Sequence, residues 1–295
     1  MLFNKRLSLA MRISFSKSFF LVWMPIAFCP MAIFSQSADD LKAWRNVAEQ
    51  RGNENRDKVE KLIQLGRYAV GKTGEQKSDL DSATVYFNQA IRISNDLDYK
   101  QGIAKSMLLN AKILQESGRA KESYAIFKKT IAFANRHNLA LQEAEAITEY
   151  AQRWKTTPDE LPNKMAEYKK ALNIYAGVGA KSGKNYAIAL KDMADFHQMY
   201  GENKESIAYL QKSLAVSKAI HDRDVQGTYV LLANNYRHIG DFGKALPLIL
   251  KAQEIAESNR DRTSQMAMIY NHIAITYHDL KKPDRALEYF YKALE

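Results

Sequence analysis

The 295-residue chain reads as an all-α fold, a solenoid of stacked helical hairpins. Three observations lead there. The first is a spacing pattern that recurs about every 40 residues: a small residue, Ala or Ser twelve positions on, a bulky residue four further, and a small residue three after that. Ala233, Ala245, Ile249 and Ala252 form one copy, and Ala274, Ala286, Phe290 and Ala293 the next; Ala194, Ser206, Leu210, Ser213 and Ala111, Ser123, Phe127, Thr130 are looser ones. The second is punctuation. Gly118, Gly201 and Gly240 each stand seven residues after the first small residue of their copy, where a helix must stop and glycine tolerates the left-handed backbone of a C-cap. The third is composition: only 13 Gly and 6 Pro interrupt long, charged, Ala- and Leu-containing stretches that lack strand-like alternation.

Taken in chain order, residues 1–35 have the make-up of a secretory signal peptide. Lys5, Arg6, Arg12 and Lys17 precede any acid, an apolar run spans Phe19 to Phe34, and Ser35-Gln36-Ser37-Ala38 follows with small residues. Pro25 and Pro30 interrupt the run, which is shorter than the roughly 20 residues of a spanning helix. Cys29 is the only cysteine, and Phe28 before it argues against lipidation. Its removal with the leader leaves no thiol chemistry, so stability comes from packing. Residues 36–58 form a helical lead-in, with a helix from Asp39 to Gln50 broken by the Gly52 segment.

From residue 59 to 295 the chain is expected to run as about six helical pairs. In each pair helix A carries the first small residue and helix B the rest. The first pair has Ala83, Phe87 and Ala90 in helix B, and its helix A register is open between Gly66 and Gly71. The third pair has Ala151, a break at Thr157-Pro158-Asp159-Glu160-Leu161-Pro162, and one extra residue before helix B. In the last pair Pro283 is expected to make the break. Small side chains let the two helices cross closely, and bulky ones such as Ile249, Phe290, Tyr236 and Tyr277 wedge between pairs. The chain stops inside a helix B, which would leave Tyr289, Phe290 and Leu294 partly uncovered, so a fragment of a longer protein, or else half of an interface, is expected.

Those residues resemble the tetratricopeptide repeat family. The family's Leu-Gly-x-x-Tyr appears as Leu232-Ala233-Asn234-Asn235-Tyr236 and Ile273-Ala274-Ile275-Thr276-Tyr277, and its Ala-x-x-x-Phe-x-x-Ala as Ala286 to Ala293 around Phe290. The family's usual period is about 34 residues. Here the anchors at 111, 151, 194, 233 and 274 step by 40, 43, 39 and 41, similar to a long-helix bacterial variety. The resemblance implies a right-handed superhelix whose helix A faces line a concave groove for a protein or peptide ligand. Counted from the anchor, groove positions fall three before it and one, four and five after. That selects Lys191, Asp195, Gln198 and Met199, then Val230, Asn234, Arg237 and His238, then Asn271, Ile275, His278 and Asp279. Earlier pairs add Leu108, Lys112, Gln115, Thr148, Gln152 and Lys155. Asn side chains can bond both groups of an extended backbone, and Arg237 or Lys191 can hold a carboxylate. Asp195 stands where a carboxylate clamp wants Asn.

Charge and motifs narrow the function classes. The net charge is +10, and beyond the leader 39 basic residues face 33 acidic ones. The signs are interleaved, which is a solvated surface and not a nucleic-acid stripe. Gly66-Arg67-Tyr68-Ala69-Val70-Gly71-Lys72-Thr73 spells a phosphate-binding loop, but a helical stretch precedes it and a turn follows, where the mechanism needs a strand and a helix. The Gly177–Lys184 stretch is read as an inter-repeat loop. The six histidines have no metal-ligand spacing, and no nucleophile motif appears. The expectation is a non-catalytic, exported binding module of a bacterial periplasm or envelope, with no cofactor, metal or nucleic acid. The alternative is the periplasmic sensory part of a membrane-bound regulator (a histidine kinase or transcription factor) that meets the membrane only through a downstream segment.

Overall fold

The computed structural model describes residues 38–50, 52, 54–71, 76–153, 157–179, 183–259 and 264–294. The expected leader, Lys72, Thr73 and Lys155 lie outside the described residues. Every regular element among the described residues is a helix. A lead-in helix α1 (Ala38–Glu49) precedes six antiparallel pairs. The A and B helices are α2 (Arg56–Val70) with α3 (Lys77–Asp96), α4 (Lys100–Glu116) with α5 (Ala120–Arg136), and α6 (Ala140–Ala151) with α7 (Leu161–Val178). They continue as α8 (Gly183–Met199) with α9 (Asn203–Ala219), α10 (Gln226–His238) with α11 (Phe242–Ser258), and α12 (Ser264–Asp279) with α13 (Pro283–Lys292). Each pair packs on the next, and the A helices also touch A helices of neighbouring pairs. The result is the all-α helical-hairpin superhelix that the spacing predicts. Among the described residues no helix is long and apolar enough to cross a membrane.

Local chemistry sets the helix ends. The first N–H groups of a helix have no internal acceptor, and side chains supply one. Asn55 accepts from the Lys58 amide at 2.9 Å to start α2, and Asp241 accepts from the Lys244 amide at 3.1 Å to start α11. Gly118, Gly201 and Gly240 end A helices at φ near 75°, as expected of them. The turn then closes through bonds such as Arg119 N to Leu114 O and Asp241 N to Tyr236 O. The last pair makes the same bond, Lys282 N to Tyr277 O at 2.9 Å, but the residue in the left-handed position is Lys281 at φ 59°. The break in that pair is therefore made by Lys281; Pro283 opens α13, a position where its missing N–H costs nothing.

The crossing points are close-packed. Ala111, Ala233, Ala274 and their partners Ser123, Ala245 and Ala286 are all buried. Ser123 Oγ reaches across its crossing and donates to Ala111 O at 2.8 Å, whereas Ser206 Oγ at the Ala194 crossing is buried without a hydrogen-bond partner. The first pair uses Gly66, since a Cβ there would lie 2.3 Å from Phe87 Cε1, while Gly71 is only the C-cap of α2. In the third pair Lys164 takes the small-residue place and stays buried, its Nζ 5.1 Å from the centre of the Phe196 ring. The wedge residues Phe87, Phe127, Tyr168, Leu210 and Ile249 are fully buried between pairs.

Candidate functional site: the A-helix face

Polar side chains bridge one A helix to the next along the array. Lys105 of α4 donates to Glu60 of α2 at 2.9 Å, and Lys112 of α4 to Glu149 of α6 at 2.7 Å. Asn185 of α8 donates to Glu145 of α6 at 2.5 Å, and Arg237 of α10 to Asp279 of α12 at 3.1 Å. The partners are 37 to 45 residues apart in sequence, so each bridge joins equivalent faces of adjacent pairs.

The centre of the face is acidic and half-buried. Tyr168 Oη donates to Asp192 Oδ2 at 2.9 Å. Burial holds the Asp192, Asp195 and Glu145 carboxyls above their ordinary range. The positive charge of Lys191 partly offsets this for the two aspartates, and Asp192 adds to the rise at Asp195. Burial also lowers the Lys164 ammonium, against the pull of Asp192 and Asp195. Lys191, Asp195 and Gln198 are all half-buried on α8.

The α10–α12 end is basic and imidazole-rich. Arg237 and Asn234 are half-buried, while His238, Asn271 and His278 are exposed. Asp279 is shared: Arg237 holds one oxygen, and His278 Nδ1 lies 3.7 Å from the other. His238 is shifted down by burial and by the Arg237 charge. His272, half-buried beside them, is pushed down to about 4 by burial first and by Arg237 second. Its Nδ1 and the Arg237 Nε are buried without a hydrogen-bond partner.

Of the positions selected from sequence, Lys191, Asp195, Gln198, Asn234, Arg237, His238, Asn271 and His278 thus lie at half-buried to exposed places on three successive A helices, α8, α10 and α12. Other expected positions go elsewhere. Leu108 and Val230, three before their anchors, are core residues, packed with Phe127 and Tyr150 and with Ile249 and Ile269 respectively. That position lies about 60° round the helix from the buried anchor, so an apolar side chain there joins the seam between pairs. Thr148 turns its hydroxyl to Glu145 O of its own helix at 2.9 Å. Sequence reasoning missed Glu149, Asp192 and His272. All three stand two before an anchor, but Leu109 and Leu231 fill that register in the second and fifth pairs, so no repeat-wide polarity marks it in the sequence. The nucleotide-loop spelling is dismantled: Gly66 to Val70 is the last part of α2, with no strand before it.

Residues 224–295 match the tetratricopeptide repeat model. The chain is 24% identical to the Tonsoku-like protein of Drosophila melanogaster, over 80% of this chain, and spans only 16% of that relative's length. Among solved structures, it resembles a signal transduction ATPase with numerous domains carrying a tetratricopeptide repeat sensor, from Pyrococcus horikoshii. The TM-score is 0.63 at 16% identity, covering 86% of this chain and 37% of that one. It also resembles PilW, a type IV pilus biogenesis factor, at TM-score 0.54 and 19% identity, covering 81% of this chain and 92% of that one. Residues 224–295 thus carry the family's repeats, and the paired-helix stacking from α2 onward gives the chain the α-solenoid fold of the solved structures it resembles.

Proposed function

We propose that the chain is an exported, non-catalytic scaffold that binds a protein or an extended peptide along the groove of its A helices. A solenoid offers a long continuous face for a partner, and the fold is compatible with protein interaction. The observation that carries the assignment is the α8–α10–α12 strip. Lys191, Asp195, Gln198, Asn234, Arg237, His238, Asn271 and His278 present mixed hydrogen-bonding groups at half-buried to exposed positions on adjacent helices. Asn234 and Asn271 suit a peptide backbone, and Arg237 has donors beyond the one it gives Asp279. The basic, apolar leader supports export to a bacterial envelope or periplasm. The test is the double variant Arg237→Glu with Asn234→Ala in a pull-down from envelope extract. A partner retained by the wild type is expected to bind at least about tenfold more weakly, with circular dichroism unchanged. Equal retention by folded variant and wild type would remove the groove from the proposal.

An alternative role is the sensory part of a longer signalling protein. It is favoured by the repeat sensor named in the Pyrococcus horikoshii structure, where the matched region is 37% of the whole. Sequencing the gene past codon 295 tests it: a membrane span followed by a kinase or helix-turn-helix supports the role, and an immediate stop removes it.

A further inference from the structure

Charges that alternate along the sequence are sorted by the fold. A helices of successive pairs approach one another more closely than B helices do, so the B helices form the broad outer side of the array. On that side α5, α7 and α9 carry nine exposed lysines and arginines against three acids, Glu122, Glu167 and Glu205. Two of the acids are already bonded locally, Glu122 by Arg119 and Glu167 by Lys170, each at 2.6 Å. Lys128, Lys129, Lys169, Lys212 and Lys218 have no carboxylate partner among the described residues. The surplus is confined to the middle of the array. The flanking B helices are close to balanced, with Lys77 and Arg92 against three aspartates in α3, and Lys244 and Lys251 against two glutamates in α11. Inside, α6 and α8 reverse the sign, with five acids against Lys184 and Lys191. These central pairs are thus basic outside and acidic towards the groove.

We propose that this outer face of α5, α7 and α9 docks on an anionic lipid surface. Its make-up selects that partner. Eight of the nine cations are lysines, point charges that lack the planar fork with which arginine reads one particular phosphate or carboxylate. Such a face responds to charge density, which a leaflet of anionic headgroups supplies. Between the lysines the outward residues are small, among them Ala125, Ala132, Ala166, Ala208 and Ala215. A protein partner is disfavoured, because the cores of protein interfaces are poor in lysine and rich in large apolar and aromatic side chains. The exposed large apolar side chain on these helices is Tyr124. Its ring is held between two cations, with the Arg153 guanidinium 4.1 Å and the Lys128 ammonium 4.5 Å from its centre. Tyr150 Oη donates to its hydroxyl at 3.0 Å. A tyrosine set among cations matches the level of lipid headgroups, where amphipathic rings and basic side chains both reside. This face lies opposite the A-helix groove, and the proposal rests neither on the groove nor on export.

The experiment is co-sedimentation of the full chain with vesicles of phosphatidylcholine containing about one third phosphatidylglycerol, and with phosphatidylcholine alone. The wild type is expected to bind the anionic vesicles and to ignore the neutral ones. The triple variant Lys128→Gln, Lys169→Gln, Lys212→Gln changes exposed side chains, one on each helix. It is expected to weaken partitioning at least tenfold, since each surface lysine is worth about fivefold, with helicity retained. The control Lys42→Gln, Lys61→Gln, Lys282→Gln removes the same charge away from this face and is expected to change partitioning by less than about twofold. Residues 1–35 are common to all three proteins, so a difference between the two variants reports the face alone. A wild type that ignores anionic vesicles or binds neutral ones equally well would overturn the proposal. So would a patch variant equal to wild type, or a control that loses as much as the patch variant. Binding of a DNA duplex in place of vesicles would assign the face to nucleic acid and overturn it as well.

Discussion

His272 is a neutral imidazole held among charges, and it makes the folded state sensitive to acid. Burial depresses it to about 4, whereas an unfolded histidine takes up its proton near ~6.5. As pH falls the unfolded chain binds that proton first. The stabilisation is therefore complete above ~6.5 and is lost as pH drops towards about 4. Asp192, Asp195 and Glu145 are shifted up by burial, so they act the other way and ease the native state as they protonate. Comparing wild type with His272→Gln isolates the imidazole. Urea titrations at pH 7 and pH 4 should show the wild type losing on the order of 2 kcal/mol more than the variant. Equal losses would mean that His272 is not a buried neutral group. The sequence selects Asn271 and His278 on either side of it, because a groove rule counted from the anchor has no place for position −2. Polarity on an exposed helix face is unremarkable in a sequence; only the depth of the pocket, set by α10 and α12 together, distinguishes His272 from its neighbours.

At the scale of the element, the A-to-B turn is the part whose rule is simplest and whose exception is most informative. Gly118, Gly201 and Gly240 occupy a left-handed position that costs glycine nothing, and Lys281 occupies it with a side chain. The hydrogen bonds of the turn are the same in both cases. Lys281→Gly is then expected to stabilise the last pair by about 0.5–1 kcal/mol, measured as a raised urea midpoint with unchanged slope. No gain would show that the Lys281 side chain contributes as much as its backbone strain removes. The three glycines were legible because a fixed seven-residue offset ties them to an anchor. Lys281 sits at the same offset, but its residue type hides the turn and draws attention to Pro283. The first pair was ambiguous for a different reason. Gly66 and Gly71 both fit a helix A that ends near residue 71, and only the approach of the Phe87 ring to Gly66 selects one. The helices, their order and the crossings follow from local spacing. Which polar groups meet across the A helices depends on partners 37 to 45 residues away, beyond any local pattern.

Across the whole molecule, every substantial contact is between elements of the same or adjacent pairs. Stability in such an array is a sum of pair terms and nearest-neighbour interfaces, so damage should stay local. Ala233 is the position to probe, since it is buried where α10 crosses α11 and packs with Ile249. A leucine there overpacks the crossing at a cost of about 1–3 kcal/mol. Native-state hydrogen exchange should then show core amides of α10 to α13 exchanging roughly 5- to 150-fold faster, the factor that cost implies. Core amides of α2 to α5, separated from the change by two full pairs, should keep their wild-type rates. Uniform acceleration from α2 to α13 would show that the pairs unfold as one cooperative unit. The inter-helix bridges from Glu60 to Asp279 would then have to be coupling pairs beyond their nearest neighbours. A graded result, with α8 and α9 intermediate, is the signature expected of neighbour-to-neighbour coupling. It would also mean that a partner bound along α8 to α12 stiffens that half of the array while leaving α2 to α5 nearly as free to open as before.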